Sequence, residues 1–250
     1  MLAKTIGTFA VIGALIASAS SQAQEKLKIG TNTNGAPWSF HDQKTNTDQG
    51  ISVELIAAIA KDAGFQIEFV PMTLAELIPA LNSRKTDIIA ANLLISAERK
   101  ALVDFSDPIA PGGDGLAVPK SDNKAYRTLD NLKGLKVGTQ AASPYGTIVE
   151  KSGLFPDLKI YPDGQTAMRA VTSGEINAGV VGANLAAYQI KLGNFPNVQL
   201  VKSWKPLFSS DDAFSVRKSD GDLLKKINTS LAKLKADGTL KAILSKYGFD

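Results

Sequence analysis

Three things are scarce or missing in this chain of 250 residues, and each absence removes a class of function. There is no cysteine, which excludes disulfides, thiolate metal sites and cysteine nucleophiles. His41 is the single histidine, so there is no imidazole pair for zinc and one imidazole for general-base catalysis. No apolar run of 18 residues follows the first 20 residues, which excludes a multi-span transporter.

The composition that is present is typical of a folded globular protein. Hydrophobic residues make up 44% of the chain and charged residues 21%, and the formal net charge is +4. This mild positive charge does not indicate nucleic-acid binding, because the lysines near the C-terminus follow one helical stretch without interleaved aromatic residues. A solvated helix face explains them better.

The first residues have the features of an export signal. Lys4 gives a short basic region, residues 6–16 form an apolar core, and small residues precede Gln24. We expect a signal peptide over residues 1–23, cleaved after about Ala23. The mature protein is then expected to be periplasmic and monomeric.

Beyond residue 24, short β-type runs alternate with helical patterns, which predicts an α/β fold with mostly parallel sheets. One cycle has strands at 27–31, 66–70 and 87–90 with helices at 53–63 and 75–82. A second cycle has strands at 135–139, 158–161 and 177–181, and helices that include one capped by Ser143 and Pro144. Two further helices are predicted at 222–236 and 240–246.

The sequence also predicts that the chain passes twice between two lobes. An extended segment follows the glycines at 112–115, and a second one occurs at 213–216. We expect a first lobe of about 25–112 plus 214–250, a second lobe of about 116–210, and hinge crossings near 112–115 and 211–214. The cleft between two such lobes is a common place for a small-molecule site.

Five segments carry a specific resemblance, and they span the chain beyond the signal peptide. They are GTNTNGAPWSF (30–40), ELIPALNS (76–83), TDIIAANLLISAERKALVDFSDP (86–108), LKGLKVGTQAAS (132–143) and LKADGTLKAILSKYG (234–248). In this order they resemble the extracellular solute-binding proteins, family 3, which serve polar amino-acid ABC transporters. The resemblance implies a two-lobe periplasmic binding protein fold of type II that closes on a solute by hinge motion. It also implies a membrane permease as partner, and no cofactor.

The resemblance points to Arg99 as the residue that binds the ligand's carboxylate. Residues 95–99 match the family's T-x-E-R pattern with Ser96 in place of threonine. The planar guanidinium is suited to a bidentate contact with a carboxylate. The alternative is a surface ion pair between Arg99 and Glu98 or Asp104.

Around Arg99 the sequence departs from the family's amino-acid site at several positions. A hydroxyl is replaced by Leu94, the two aromatic residues by Gly35 and Leu74, and the two acids by Asn32 and Gly182. A proline, Pro144, follows Ser143 where the family has a further hydroxyl. Because a buried ammonium without a carboxylate is costly, we expect a modified amino acid or related organic anion rather than a standard α-amino acid. Asn184, Trp204 or Asp212 replaces the missing acid only in a rearranged cleft.

Other polar and aromatic residues remain as candidate ligand contacts. They are Asn32, Asn34, Trp38 and Asn92 on the first lobe and Gln140, Ser143 and Tyr145 on the second. Two have equally good structural explanations, since Trp38 also suits the core under the pocket floor and Asn34 a turn with Gly35.

Three hypotheses for the function therefore remain. The leading one is the solute-binding component of an ABC transporter. The second is an enzyme on the same scaffold, similar to cyclohexadienyl dehydratases, which requires a general acid and base in the cleft. The third is a receptor that presents its ligand to a signalling partner.

Overall fold

The structure is a computed structural model that describes residues 25–32, 34–42 and 45–249. The predicted signal peptide lies outside the described residues. The strands are β1 (Lys26–Thr31), β2 (Asn34–Gly35), β3 (Ser39–Asp42), β4 (Thr47–Gln49), β5 (Gln66–Pro71), β6 (Ile88–Ile89), β7 (Asp104–Phe105), β8 (Ala110–Pro119), β9 (Val137–Gln140), β10 (Lys159–Tyr161), β11 (Ala178–Gly182), β12 (Val198–Leu200), β13 (Ser209–Asp212) and β14 (Ser215–Val216).

The helices are α1 (Ile51–Ala63), α2 (Leu74–Asn82), α3 (Ala97–Leu102), α4 (Pro144–Lys151), α5 (Gly164–Ser173), α6 (Ala183–Lys191), α7 (Gly221–Ala236) and α8 (Thr239–Lys246), with a short 3₁₀ turn at Leu129–Leu132. They alternate with the strands through most of the chain. The predicted α/β class is therefore confirmed.

The first lobe is built on a sheet of five strands in the order β5-β1-β6-β14-β7. Strand β1 pairs in parallel with β5 and β6, and β14 runs antiparallel to its neighbours β6 and β7. Apolar residues of α1, α7 and α8 cover one face, while Leu74, Leu77 and Leu81 of α2 cover the other. The carboxyl ends of β1 and β6 lead into the segments that carry Asn32 and Asn92.

The second lobe is built on a sheet in the order β10-β9-β11-β8-β12, and β13 pairs with β8 outside this path. Strands β9, β10 and β11 are parallel, and β8 runs antiparallel to β11. All five residues of β11 are buried, as expected for a parallel strand with helices on both faces. Its last residue, Gly182, lies at the cavity that residues of the first lobe also line.

A third, three-stranded sheet of β2, β3 and β4 was not predicted from the sequence. Its strands have only two to four residues and contain mostly polar side chains. Such strands lack the apolar alternation by which a half-buried strand is predicted, so the pattern gave no signal.

Two predicted helix starts are confirmed, and both lie at the cleft. The Ser96 hydroxyl accepts a hydrogen bond of 3.2 Å from the Arg99 amide at the start of α3. The Ser143 hydroxyl accepts one of 3.0 Å from the Gly146 amide at the start of α4, where Pro144 is the first helical residue. These caps direct the first turns of both helices at the space between the lobes.

The glycines at 112–115 lie inside strand β8. There β8 pairs with β13, and Leu94 forms a further bridge to Asp212. A side chain at Gly113 would come within 2.9 Å of the Phe208 carbonyl oxygen. The glycines thus allow strands to approach closely. The predicted limits of the two lobes and the hinge stay predictions.

The two lobes touch on both sides of the cleft. Asn34 Nδ2 donates to Asp163 Oδ2 at 3.2 Å, and Arg99 Nη2 donates to the Ala142 carbonyl oxygen at 2.9 Å. On another edge the ring of Tyr188, from the second lobe, lies 6.4 Å from Phe40 and 6.2 Å from Tyr247 of the first. The structure is therefore a closed form of the protein.

We predict that Gly50→Ala destabilises the protein. Gly50 has a φ of 126°, and a Cβ at this position would overlap with the carbonyl oxygen of Trp38. Strain of this kind costs about 1–3 kcal/mol, so the free energy of unfolding in urea should fall by at least that amount. As a control, Gly221→Ala adds a methyl group that meets nothing within 4 Å and should leave the stability unchanged or raised. Equal stabilities of the two variants would contradict the packing described.

We also predict that Asn34→Ala opens the ligand-free protein. The substitution removes the side-chain contact to Asp163, which exists only when the lobes are closed. Small-angle scattering should give a larger radius of gyration for this variant than for the wild type. The matched control is Asn197→Ala, an exposed residue of the second lobe for which the structure shows no side-chain hydrogen bond. The same radius for all three proteins would show that this contact does not hold the lobes together.

Candidate ligand-binding cleft

A narrow cavity of about 20 Å³ lies between the lobes. Its walls come from both lobes: Asn32, Asn34, Gly35, Leu74, Asn92, Leu94 and Arg99 on one side, and Gln140, Ser143, Pro144, Tyr145, Gly182 and Leu185 on the other. A volume of this size holds about one water molecule. A solute of amino-acid size therefore enters only when the lobes separate or the lining side chains move.

Arg99 is the only charged residue in this lining, and it contacts both lobes. Its Nη1 donates to the Leu94 carbonyl oxygen at 2.7 Å, and its Nη2 to that of Ala142 at 2.9 Å. The residue is 8% exposed, and burial lowers the pKa of its guanidinium to about 10, so it stays charged at neutral pH. The two carbonyls are neutral, and the carboxylates of Asp212 and Glu98 act on the guanidinium without forming an ion pair with it. Other N–H donors of the fork remain for a carboxylate.

The predicted alternative for Arg99, a surface pair with Glu98 or Asp104, is not what the structure shows. Glu98 pairs with Lys151 at 3.6 Å, and Asp104 with Lys218 at 3.5 Å. Arg99 lies in the first turn of α3, and its buried side chain lines the cleft and contacts the carbonyl oxygen of Leu94.

Three asparagines line the first lobe's side of the cavity, and they differ in what they offer. Asn32 Oδ1 accepts the Asn34 amide at 3.0 Å, which forms a local turn. Asn34 uses its side chain for the contact with Asp163. The Oδ1 atom of Asn92 is buried and has no hydrogen-bond partner. Asn92 therefore presents the one unused buried acceptor among the lining residues that the structure describes.

On the second lobe's side, Tyr145 lines the cavity, but Ser143 offers less than predicted. The Tyr145 hydroxyl donates to Gln140 Oε1 at 2.9 Å, and burial keeps the phenol neutral by raising its pKa. The Ser143 hydroxyl donates to the Gln140 carbonyl oxygen at 2.8 Å while it caps α4. Because the cap occupies this hydroxyl, Ser143 contributes shape to the cavity rather than a free donor.

Gly182 lies at the cavity wall, at the end of β11 and the start of α6. A Cβ built on it would meet the Tyr145 hydroxyl at 3.6 Å and Leu185 Cβ at 3.8 Å, which are ordinary contacts. A Cβ atom would thus be tolerated at this position. Leu74 and Leu94 lie at the first lobe's side, where they make that wall apolar.

The structure corrects the predicted ligand contact of Trp38. Its side chain is fully buried in the first lobe's core, with its ring 5.5 Å from that of Phe249 in an edge arrangement. The large apolar indole is more stable away from water in this core than in a cavity lined by amides. Trp38 supports the pocket floor and does not line it.

None of the three residues considered as replacements for the missing acid reaches the cavity lining. Asn184 donates to the Pro111 carbonyl oxygen at 3.0 Å, and the Trp204 indole N–H donates to Asp114 at 2.8 Å. Asp212 is fully buried and makes no hydrogen bond through its carboxyl group. Burial raises the pKa of Asp212 well above its ordinary value, which the charge of Arg99 opposes.

Sequence reasoning missed Asp163 and Leu185. Asp163 caps α5 through Oδ1, which accepts the Thr166 amide at 2.7 Å, and its other oxygen contacts Asn34. The Asp-Gly-Gln-Thr sequence is a helix-start signal, but nothing in it reveals a contact to the other lobe. Among the described residues, no helix is long and apolar enough to cross a membrane, and no cluster of three acidic or histidine side chains is placed to hold a metal ion.

Comparisons with known proteins agree with this architecture. The L-cystine-binding protein TcyJ of Escherichia coli (strain K12) is 29% identical over 221 residues, which are 88% of this chain and 82% of that protein. The structure of an ancestral arginine-binding protein bound to arginine is 34% identical, with a TM-score of 0.82 over 90% of this chain and 99% of that one. The ancestral amino acid-binding protein AncCDT-1, a precursor of cyclohexadienyl dehydratase, is 31% identical, with a TM-score of 0.79 over 89% and 95% of the two chains.

The family assignment rests on a match along nearly all of the described chain. The sequence profile of the bacterial extracellular solute-binding proteins, family 3, matches residues 27–250. The same residues form the two lobes and the cleft between them, as the resemblance in the sequence predicts. This protein belongs to the bacterial extracellular solute-binding proteins of family 3.

Proposed function

We propose that this protein captures a small carboxylate-bearing solute between its lobes and delivers it to the membrane permease of an ABC transporter. The observation that carries the proposal is the buried guanidinium of Arg99, which is charged, faces the cavity and forms no ion pair with a carboxylate among the described residues. Asp212 and Glu98 act on it only at longer range. A buried positive charge of this kind is stabilised by an anion that enters the cavity. Relatives named as amino-acid-binding proteins support the same role.

We further propose that the solute is a modified amino acid or a related organic anion. No aspartate or glutamate is among the residues that line the cavity, and Gly182 has no side chain with which to bind an ammonium group. An unmodified α-amino acid would bury three N–H donors against amides and apolar groups. Its affinity would fall because each unsatisfied buried donor is costly.

The cavity favours binding over catalysis. General acid–base chemistry requires titratable groups at the reacting atoms, and the lining contains no histidine or carboxylate. Arg99, a guanidinium, and Tyr145, whose pKa burial raises, are poor proton carriers near neutral pH. A dehydratase-like activity therefore has no support from these residues. Export to the periplasm and a monomeric state belong to the same proposal.

A thermal-shift screen of carboxylates tests the proposed ligand class, and Arg99→Ala tests the proposed contact. A ligand at 100 times its dissociation constant should stabilise the wild type by about 2.7 kcal/mol. Arg99→Ala should lose most of that affinity, since removal of a buried charge partner costs about 2–5 kcal/mol. Arg99→Lys should also bind weakly because it lacks the bidentate fork.

The control is Lys100→Ala, which removes an exposed charge next to Arg99 outside the cavity. This variant should bind as tightly as the wild type. Unchanged affinity in Arg99→Ala would overturn the carboxylate assignment. If carboxylates fail to stabilise the wild type while neutral solutes succeed, the proposed ligand class is wrong.

We predict that glutamate, glutamine, histidine and lysine bind weakly to the wild type, and that Gly182→Asp strengthens their binding. A penalty of about 3 kcal/mol weakens binding more than a hundredfold. Calorimetry should show tighter binding in Gly182→Asp than in Gly182→Ala, which adds a Cβ without the charge. Micromolar binding of one of these amino acids to the wild type would contradict the prediction.

A further inference from the structure

Asp114 is a buried carboxylate directly opposite Gly182 on the neighbouring strand. Strands β8 and β11 are antiparallel, and their register pairs Asp114 with Gly182. Residues paired in this way direct their side chains to the same face of the sheet, with Cα atoms about 4.5–5.5 Å apart. The Asp114 side chain therefore lies on the face on which a side chain at Gly182 would stand.

Both carboxyl oxygens of Asp114 accept hydrogen bonds from neutral donors. Oδ2 accepts the Trp204 indole N–H at 2.8 Å, and Oδ1 accepts the Phe208 amide at 2.8 Å. Asp114 is 1% exposed, and burial raises its pKa above the ordinary value even though the hydrogen-bond donors oppose that shift. N–H donors on both oxygens favour the ionised form. In the part of the chain that the structure describes, no lysine or arginine forms an ion pair with Asp114.

The negative charge of Asp114 reaches the cavity through Tyr145. The Tyr145 hydroxyl lies 3.6 Å from the position that a Cβ of Gly182 would occupy, and both residues line the cavity. Burial and then the charge of Asp114 raise the pKa of this phenol. Arg99 thus places a positive charge at the cavity on the first lobe, and Asp114 places a carboxylate behind Tyr145 and Gly182 on the second. A zwitterion matches this polarity, whereas a dianion does not.

The hydrogen-bonding groups of the cavity limit which zwitterions fit. Asp114 is not among the residues that line the cavity, so it supplies charge there but no acceptor in contact with the solute. Asn92 Oδ1 is the unused buried acceptor among the described lining residues. An unmodified ammonium carries three N–H groups that need acceptors. Each alkyl group on the nitrogen removes one of these N–H groups and keeps the positive charge.

We propose that Asp114 is a specificity-determining residue, which lies behind Tyr145 and supplies the negative charge that Gly182 lacks. The solute is then an N-alkylated amino acid with a carboxylate and a positively charged nitrogen. This inference rests on the proposed carboxylate-binding function and selects one class within it. Arg99 binds the carboxylate, and the alkylated nitrogen lies toward Tyr145. Leu74, Leu94 and Leu185 provide apolar surface for the alkyl groups.

The test compares nitrogen substituents on one carboxylate. Calorimetry of the wild type uses glycine, N-methylglycine, N,N-dimethylglycine and glycine betaine, with N-acetylglycine as the neutral-nitrogen counterpart. At least one alkylated compound should bind tenfold or more tightly than both glycine and N-acetylglycine. In Asp114→Asn the advantage over N-acetylglycine should fall to less than threefold.

The control variant is Trp204→Phe, which removes one hydrogen bond to Asp114 and keeps the charge. If the role of Asp114 is merely structural, Asp114→Asn and Trp204→Phe should lower the affinity for all ligands equally. The proposed role predicts that Trp204→Phe keeps the preference for the charged nitrogen, while Asp114→Asn loses it. Circular dichroism and urea unfolding establish that both variants are folded before binding is compared.

Three results overturn the inference. They are N-acetylglycine binding as tightly as the alkylated compounds to the wild type, the same preference in Asp114→Asn and Trp204→Phe, and no binding of any compound in the series. In each case the carboxylate screen with Arg99→Ala still decides the proposed function separately. If that screen finds a neutral-nitrogen carboxylate that depends on Arg99, the receptor function stands without the assigned role of Asp114.

Discussion

The architecture of the cleft depends on one buried positive charge. Arg99 is held by the carbonyl oxygens of Leu94 and Ala142, one from each lobe, so the same guanidinium joins the lobes and faces the cavity. Carbonyl oxygens satisfy hydrogen bonds but do not neutralise the charge. In the proposed function, an anion that enters the cavity supplies the compensating charge, and closure is thereby coupled to binding. The Ser96 cap and the bridge between Leu94 and Asp212 support the position from which Arg99 extends.

The second lobe contributes a different kind of group to the same cavity. Its sheet directs the ends of β9 and β11 at the cleft, where Gln140, Tyr145 and Gly182 meet. The polar atoms of this wall largely form hydrogen bonds with each other. The second lobe therefore contributes the shape of the cavity and its electrostatic environment more than free hydrogen-bond donors. Asp114 lies one strand away and carries a charge with no cationic partner among the described residues. Loss of an acid at the end of one strand is thus accompanied by a carboxylate on its neighbour.

Contacts other than those of Arg99 also contribute to the energy of closure. The Asn34–Asp163 hydrogen bond and the rings of Phe40, Tyr188 and Tyr247 join the lobes without touching the buried guanidinium. Each contact of this kind is worth about 1 kcal/mol, so together they shift the balance between open and closed forms by an amount comparable to a ligand's differential affinity. Arg99 and Asn34 both line the cavity and join the lobes, whereas the rings of Phe40, Tyr188 and Tyr247 contribute to closure alone.

Local patterns in the sequence determined the α/β class and the helix caps at Ser96 and Ser143, and the resemblance to a family led to the proposal that Arg99 binds the ligand. Helix caps and buried strands can be predicted from a few consecutive residues. A hydroxyl residue before a helix, or an apolar run such as residues 178–182, indicates its structure without a contact from a distant part of the chain. The tertiary structure alone decided the rest. Trp38 lies in the core because Phe249, more than 200 residues away, packs against it, and β2, β3 and β4 form because their backbones pair. The pairing of Asp114 with Gly182, and that of Asp163 with Asn34, likewise depends on register and closure between segments remote in sequence.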